Sequence, residues 1–285
     1  MLNLSIKKLE QSLVLKNDGY LSIFFLGTGS AFSKKIYQNN IIIIKGDTAI
    51  FVDFGTRSPF ALNLLGHNVS SIDNLILTHS HADHIGGVEE IFLFNRYGFN
   101  RKINLIVPKP YLDILWEESL KGGCSYSEYK DTKHLNIYDF VNYIEPQIID
   151  IDYKEKRLFY KINISGIDII FFQTKHLPSD AYEIEKHHLT FGLIIDNKII
   201  FTSDTKFDKE FIEFLVNNFD IEYIFHDCQF YKGGVHASLE EICTFPNYIK
   251  EKMFLMHYQD NYQDIDIKKD NFLGFAEQWV YYNFK

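Results

Sequence analysis

The densest chemistry in this sequence sits in one short run, His79-Ser80-His81-Ala82-Asp83-His84, which carries three imidazoles and a carboxylate. Imidazole nitrogen and carboxylate oxygen suit Zn2+, and also Mn2+ or Fe2+. The run follows the apolar residues 75–77 after the single residue Thr78 and precedes Ile85-Gly86-Gly87, so it reads as a loop leaving a buried strand. In such a loop His79 and His81 point the same way. Asp83 and His84 lie past a bend, where they can face a second ion. A run of solvated surface histidines is the competing reading, and the apolar strand before it and the glycines after it argue against that.

The elements that must position this run follow from local patterning. Residues 21–26 form an apolar strand entering the tight turn Gly27-Thr28-Gly29-Ser30. Residues 40–45 and 49–54 flank Gly46-Asp47, a hairpin signal. Residues 75–78 and 103–107 read as strands, and the stretches around Val88 to Phe94 and 111–120 as helices. The second half repeats this grammar. Hairpins are predicted at Ser165-Gly166 and Asp196-Asn197, a helix over 207–217 and strands over 222–225 and 252–256. Ser238-Leu239-Glu240-Glu241 matches a capping box that opens a helix. Phe272, Phe275, Ala276, Trp279 and Val280 share one face if the terminus is helical. Residues 1–19 are expected to add a hairpin around Asn17-Asp18-Gly19, at a candidate dimer interface. Residues 121–156 are the least regular stretch and read as an insertion over a cleft. Two sheets with helices outside satisfy the pattern, so residues 1–285 read as one domain of two similar halves, approximately 20–110 and 157–257.

The pattern HxHxDH at His79, His81, Asp83 and His84 resembles that of the metallo-β-lactamase-fold hydrolases. The resemblance extends over roughly residues 21–257 and implies an α/β fold, a four-layer αββα sandwich with metals at one edge. It implies three further ligands at strand ends: His176, Asp204 and His257. One ion would take His79, His81 and His176; the other would take Asp83, His84 and His257; Asp204 would bridge them. The segment 177–186 is long and acidic, which leaves His188 as an alternative to His176. Asp53, in Phe51-Val52-Asp53-Phe54-Gly55, matches an early aspartate that orients the histidine loop, and it also reads as a plain turn aspartate. Zn2+ is the default for a His-rich pair of sites, and a carboxylate-bridged pair also accepts Mn2+.

The ligand set and what surrounds it narrow the branch. A common β-lactamase lacks the histidine after the motif aspartate and the bridging aspartate. The 28 residues after His257 are too few for the helical substrate domain of the glyoxalase II branch. The segment His226-Asp227-Cys228-Gln229, with Gly233-Gly234-Val235-His236-Ala237-Ser238, resembles the phosphodiesterase side. That side includes tRNA 3′-processing endonuclease Z and cyclic-nucleotide-degrading enzymes of the anti-Pycsar type. By this resemblance Asp227 supports His236, and His236 protonates the leaving oxygen, which departs poorly as an alkoxide. Two ions would bind a hydroxide between them for in-line attack, with Asp83 taking its proton. No Gly/Pro-rich basic arm for tRNA is visible in 109–156. A small phosphodiester, most readily a cyclic nucleotide, is therefore the expected substrate. A tRNA 3′-endonuclease and a lactonase or other carboxyl-ester hydrolase are the rivals; the latter would not need His236. A non-enzymatic cyclic-nucleotide sensor fits poorly, since no expected ligand is missing. Homodimers are common in this branch, and one is expected here.

Global properties agree with this expectation. Lys plus Arg number 29 against 38 Asp plus Glu, a net charge of −9. Long nucleic acid rewards many phosphate contacts and is a poor default partner for such a chain. Cys124, Cys228 and Cys243 form no CxxC pair, are odd in number and read as small buried hydrophobes. The amino terminus lacks the apolar block of a signal peptide. The longest purely aliphatic run, Ile41-Ile42-Ile43-Ile44, falls far short of the ~18 residues of a spanning helix. A cytoplasmic protein without membrane partner is expected. His67, His134 and His226 read as structural.

Overall fold

A computed structural model describes residues 2–126, 128–181 and 183–285. Met1, Ser127 and Tyr182, which fall in the amino-terminal, 121–156 and 177–186 segments, lie outside the described residues. The chain divides into two compact units: residues 2–27, 37–146 and 278–285, and residues 28–36 and 147–277.

The first unit is built on an eight-stranded sheet in the order Leu4–Lys8, Val280–Phe284, Leu21–Gly27, Asn40–Lys45, Thr48–Val52, Asn74–Ile76, Ile103–Ile106, Val141–Ile144. Pairing is antiparallel as far as Thr48–Val52 and parallel beyond it. Parallel neighbours need crossovers, and the helices Ser58–Leu64, Val88–Leu93 and Lys109–Ile114 lie in those connections. Ile41, Ile42, Ile43 and Ile44 are all buried, so the sheet is covered on both faces there.

The second unit repeats the plan. Its sheet runs Gln147–Ile149, Phe159–Ile164, Ile167–Gln173, Phe191–Ile195, Ile199–Phe201, Tyr223–Asp227, Met253–Met256, Gly274–Phe275. It turns from antiparallel to parallel after Ile199–Phe201. Helix Lys209–Asn218 buries Phe211, Ile212, Leu215 and Val216 against Phe159, Phe172, Ile194 and Ile200. Each such side chain contributes about 1.5–3 kcal/mol of transfer free energy. The capping box at Ser238 forms as expected: its side chain accepts from Glu241 N–H, and Glu241 reaches back to Ser238 N–H.

Two local expectations are corrected. The carboxy terminus is not helical. Gly274 and Trp279 have φ of 148° and 62°, and Val280–Phe284 inserts as a strand between Leu4–Lys8 and Leu21–Gly27. Its Val-Tyr-Tyr-Asn-Phe composition suits a pleated surface, and the 3–4 spacing upstream was coincidental. The amino terminus forms no hairpin around Asn17. Leu4–Lys8 pairs with Val280–Phe284, while the Asn17 side chain ties the turn at Gly19 and Gly46. Among the described residues no helix is long and apolar enough to cross a membrane.

Candidate metal centre and active site

Most of the chemistry-bearing residues lie at carboxyl ends of strands in the parallel part of each sheet, where an α/β sheet leaves loops free to converge. His176 instead follows Ile167–Gln173, which is antiparallel to both its neighbours. Three of these residues sit in the left-handed region without being glycine: Asp53 at φ 63°, Ser203 at 51° and His257 at 59°. Each follows a strand within two residues. Such backbone costs on the order of 1 kcal/mol per residue and persists only where the surroundings over-determine it.

In the first unit the left-handed turn aims the Asp53 carboxylate under the histidine loop. Its Oδ1 accepts Thr78 N–H at 2.8 Å, and Oδ2 accepts Thr78 Oγ1–H at 2.7 Å. Oδ2 also lies 2.7 Å from His84 Nδ1, which places the proton of His84 on Nδ1 and turns Nε2 toward its neighbour Asp83. Burial pushes the Asp53 carboxyl above its usual range, against the pull of His84 and Thr78. Asp83 and His84 belong to one helical turn, Ala82–Ile85, held from below by Asn40. The Asn40 amide donates to Asp83 O at 3.0 Å, and its oxygen accepts Gly55 N–H at 2.8 Å. Gly55 must be glycine, because a Cβ there would meet Asp83 O at 2.0 Å. Buried Tyr111 places its hydroxyl 3.1 Å from Ser80 Oγ, between the two leading histidines.

In the second unit Asp204 divides its carboxylate between two imidazoles. Oδ2 lies 3.7 Å from His176 Nε2, and Oδ1 lies 3.6 Å from His257 Nε2. Thr174 Oγ1–H donates to Asp204 O at 3.0 Å and fixes the turn. His176 Nδ1 lies 2.9 Å from the Val235 carbonyl, which selects the tautomer with Nε2 as acceptor. Burial pulls the His176 imidazole down to about 4. It is therefore neutral at pH 7, the form that ligates a metal.

Asp227 holds a pair of histidines. Its Oδ2 accepts Thr205 N–H at 2.8 Å and lies 2.7 Å from His236 Nδ1, while Oδ1 is 3.3 Å from His257 Nδ1. Burial alone would raise the Asp227 carboxyl, yet the two imidazoles hold it below the usual range. Burial pulls the His236 imidazole down, and the Asp227 carboxylate outweighs that and leaves it raised. Gly233 and Gly234, at φ 82° and 85°, turn the chain so that Val235 reaches His176 and His236 reaches Asp227. Donor atoms of Asp204, Asp227, His236 and His257 all lie within 4.8 Å of one another.

This donor set fits divalent metal. Two nitrogens on one tetrahedral Zn2+, at Zn–N of about 2.0–2.1 Å, stand about 3.3 Å apart. His79 Nε2 and His81 Nδ1 are 3.0 Å apart, and His84 Nε2 and Asp83 Oδ2 are 3.3 Å apart. Asp204, with one oxygen toward each of two imidazoles, adds carboxylate oxygens to this donor set. His176, not His188, is the histidine beside Asp204. His188 is exposed, while its neighbour His187 is buried. His67 and His226 bind the backbone, at Leu13 O (2.8 Å) and Asp227 O (2.7 Å), and His134 packs on Tyr129. The sequence carried no sign of the second partner of Asp227, of the Val235 carbonyl or of Asn40, all of which depend on pairings distant along the chain.

Comparison with known proteins places these observations. The model of the family described as Anti-Pycsar protein Apyc1 matches residues 21–282. The chain belongs to the anti-Pycsar Apyc1 family. The family member from Bacillus phage vB_BveM-Goe7 is 37% identical over 261 residues, covering 89% of this chain and 94% of that one. The Apyc1-family chain also superposes on solved structures. The metallo-β-lactamase-fold protein YhfI from Bacillus subtilis has a TM-score of 0.63 at 15% identity, covering 93% of this chain and all of that one. The short form of human tRNase Z has a TM-score of 0.59 at 16% identity, covering 91% and 98%. The Apyc1-family chain thus has the metallo-β-lactamase fold that its histidine motif implied.

Proposed function

We propose that this protein is a metal-dependent phosphodiesterase that hydrolyses a small cyclic nucleotide, with His236 as general acid. The carrying observation is the 2.7 Å pairing of His236 Nδ1 with buried Asp227, on an imidazole whose side chain stays 17% exposed at the site. A protonated imidazole held there serves a phosphodiester whose leaving oxygen would otherwise depart as an alkoxide. Membership of the Apyc1 family supports a cyclic-nucleotide substrate, as the resemblance to anti-Pycsar enzymes implied. The net charge of −9 speaks against long RNA.

The residues that would hold metal are His79, His81, Asp83 and His84 in the first unit and His176, Asp204 and His257 in the second. Two divalent ions, when bound, supply Lewis acidity that activates water and offsets charge on the phosphate oxygens. Asp227 fixes the His236 ring through Nδ1–H, so that the proton on Nε2 points away from the carboxylate. His236 Nε2–H then passes its proton to the departing ribose oxygen. A carboxylate oxygen of Asp83 takes the proton lost by water. Asp53, through His84, keeps Nε2 of that ring as the electron-pair donor.

The test is turnover by metal-loaded protein of 3′,5′-cyclic purine and pyrimidine nucleotides, a homoserine lactone and a tRNA precursor, with His236→Ala alongside. Cyclic-nucleotide cleavage that falls at least a hundredfold in the variant, about the share a positioned acid contributes, is expected. Lactone cleavage that survives the variant, with no phosphodiester turnover, overturns the reading.

A further inference from the structure

The second unit holds a cavity of about 460 Å³, with His236 and His257 in its lining. That volume lies in the range of small-ligand sites. Its lining also includes two aromatic side chains that the core does not use. Phe32 is 86% exposed and Tyr231 is 60% exposed. Burying a phenyl ring ordinarily gains about 1.5–3 kcal/mol, so a ring held this far out is kept from its favoured environment.

The Phe32 loop is held rigidly. Ser30 N–H donates to Tyr258 O at 3.0 Å and Ser33 N–H to Ser30 O at 3.1 Å, closing a turn around Phe32. Beyond the turn, the two oxygens of Asp260 accept Lys34 N–H at 2.7 Å and Lys35 N–H at 3.1 Å. Tyr231 comes from the loop that also delivers His236, and Phe230 N–H before it donates to Gln259 Oε1 at 2.8 Å. That bond leaves the Gln259 amide NH2 as a donor in the cavity lining.

We propose that Phe32 and Tyr231 are the base-binding end of the substrate site: a nucleobase stacks on these rings while its cyclic phosphate lies at His236. The proposal rests on the cyclic-nucleotide reading and specifies what it leaves open, namely what recognises the base. Fixed aromatic faces at the mouth of a cavity are what base stacking requires, and stacking yields affinity without forming or breaking a bond. Gln259 supplies a hydrogen-bond donor in the same lining that can meet a base carbonyl.

Steady-state kinetics of Phe32→Ala, Tyr231→Ala and Phe32→Trp test this on two substrates: a 3′,5′-cyclic nucleotide and the 3′,5′-cyclic phosphate of 1-O-methylribose, which lacks a base. Stacking of about 1–3 kcal/mol per base corresponds to a KM about 5- to 150-fold higher for the cyclic nucleotide in each alanine variant, with kcat within about twofold. Phe32→Trp retains the wild-type KM, and the base-free substrate shows no such rise. Unchanged KM for the nucleotide, or an equal rise for both substrates, overturns the base-binding role. Wild-type protein that cleaves no cyclic nucleotide overturns the functional reading itself, which separates the two failures. Phe32 is exposed, so its truncation leaves the fold intact, and an unaltered Tm verifies that.

Discussion

His236 and His257 hang from opposite oxygens of one carboxylate, Asp227, at 2.7 Å and 3.3 Å. One is assigned proton transfer and the other metal binding, so a single buried anion positions both functions. Substitutions separate them. His236→Ala is expected to lower phosphodiester turnover at least about a hundredfold while metal content stays at the wild-type level. Asp227→Asn is expected to lose turnover and also about ten- to hundredfold in metal affinity, the usual cost of losing a ligand's hydrogen-bond partner. Metal content by elemental analysis beside kcat checks both. Full metal affinity in Asp227→Asn contradicts the shared role.

Asp53 acts on the other donor set. It holds Thr78 and His84 but has no place among the ligands. Asp53→Asn keeps a residue that tolerates φ above zero and removes the anion. Metal affinity is expected to fall about ten- to hundredfold with secondary structure unchanged, as measured by competition with a chelator and by circular dichroism.

Gly55 is constrained by space rather than by φ. Gly55→Ala forces a methyl group into the Asp83 carbonyl, so the helical turn carrying Asp83 and His84 must move. Overpacking of this kind costs about 1–3 kcal/mol. Urea unfolding is expected to show that loss and zinc titration a weakened site. An alanine variant with wild-type stability and metal content contradicts the contact.

The Glu155–Arg157–Asp208 cluster makes stability pH-dependent. Arg157 lies flat on Phe211, 3.7 Å from the ring centre, and bonds both carboxylates, while Lys175 Nζ sits 2.6 Å from Glu155 Oε1. Burial raises the Glu155 carboxyl, but hydrogen bonds from Lys175 and Arg157 outweigh this and leave it below the ordinary 4.5. A depressed carboxylate contributes stability above its unfolded value and loses it as pH falls through the folded one. Partial exposure limits the contribution to under about 1 kcal/mol. Glu155→Gln is therefore expected to be slightly less stable than wild type at pH 7. The two should converge in urea unfolding as pH falls below the ordinary carboxylate range.

Much of this arrangement was legible in the residues. The histidine run after an apolar strand marked the first donor set, and His176, Asp204 and His257, expected as ligands from the family resemblance, lie beside one another. The hairpins at Gly46-Asp47, Ser165-Gly166 and Asp196-Asn197 were visible because turn chemistry is local. The pairing of Leu4–Lys8 with Val280–Phe284 was not, since nothing local records a partner at the far end of the chain. Phe272, Phe275, Ala276 and Trp279 mimicked a helical face, and only Gly274 hinted at the positive φ that breaks it. Asp227 was legible as a partner of His236 nine residues on, but its contact with His257 depends on two adjacent parallel strands.

The left-handed backbone at Asp53, Ser203 and His257 bears on how this chain can change. A screen that rewards only thermal resistance would favour glycine or asparagine at all three places, and at Asp53 and His257 the gain would come from the same exchange that weakens catalysis. Thermostability and turnover are thus set against each other at those two codons.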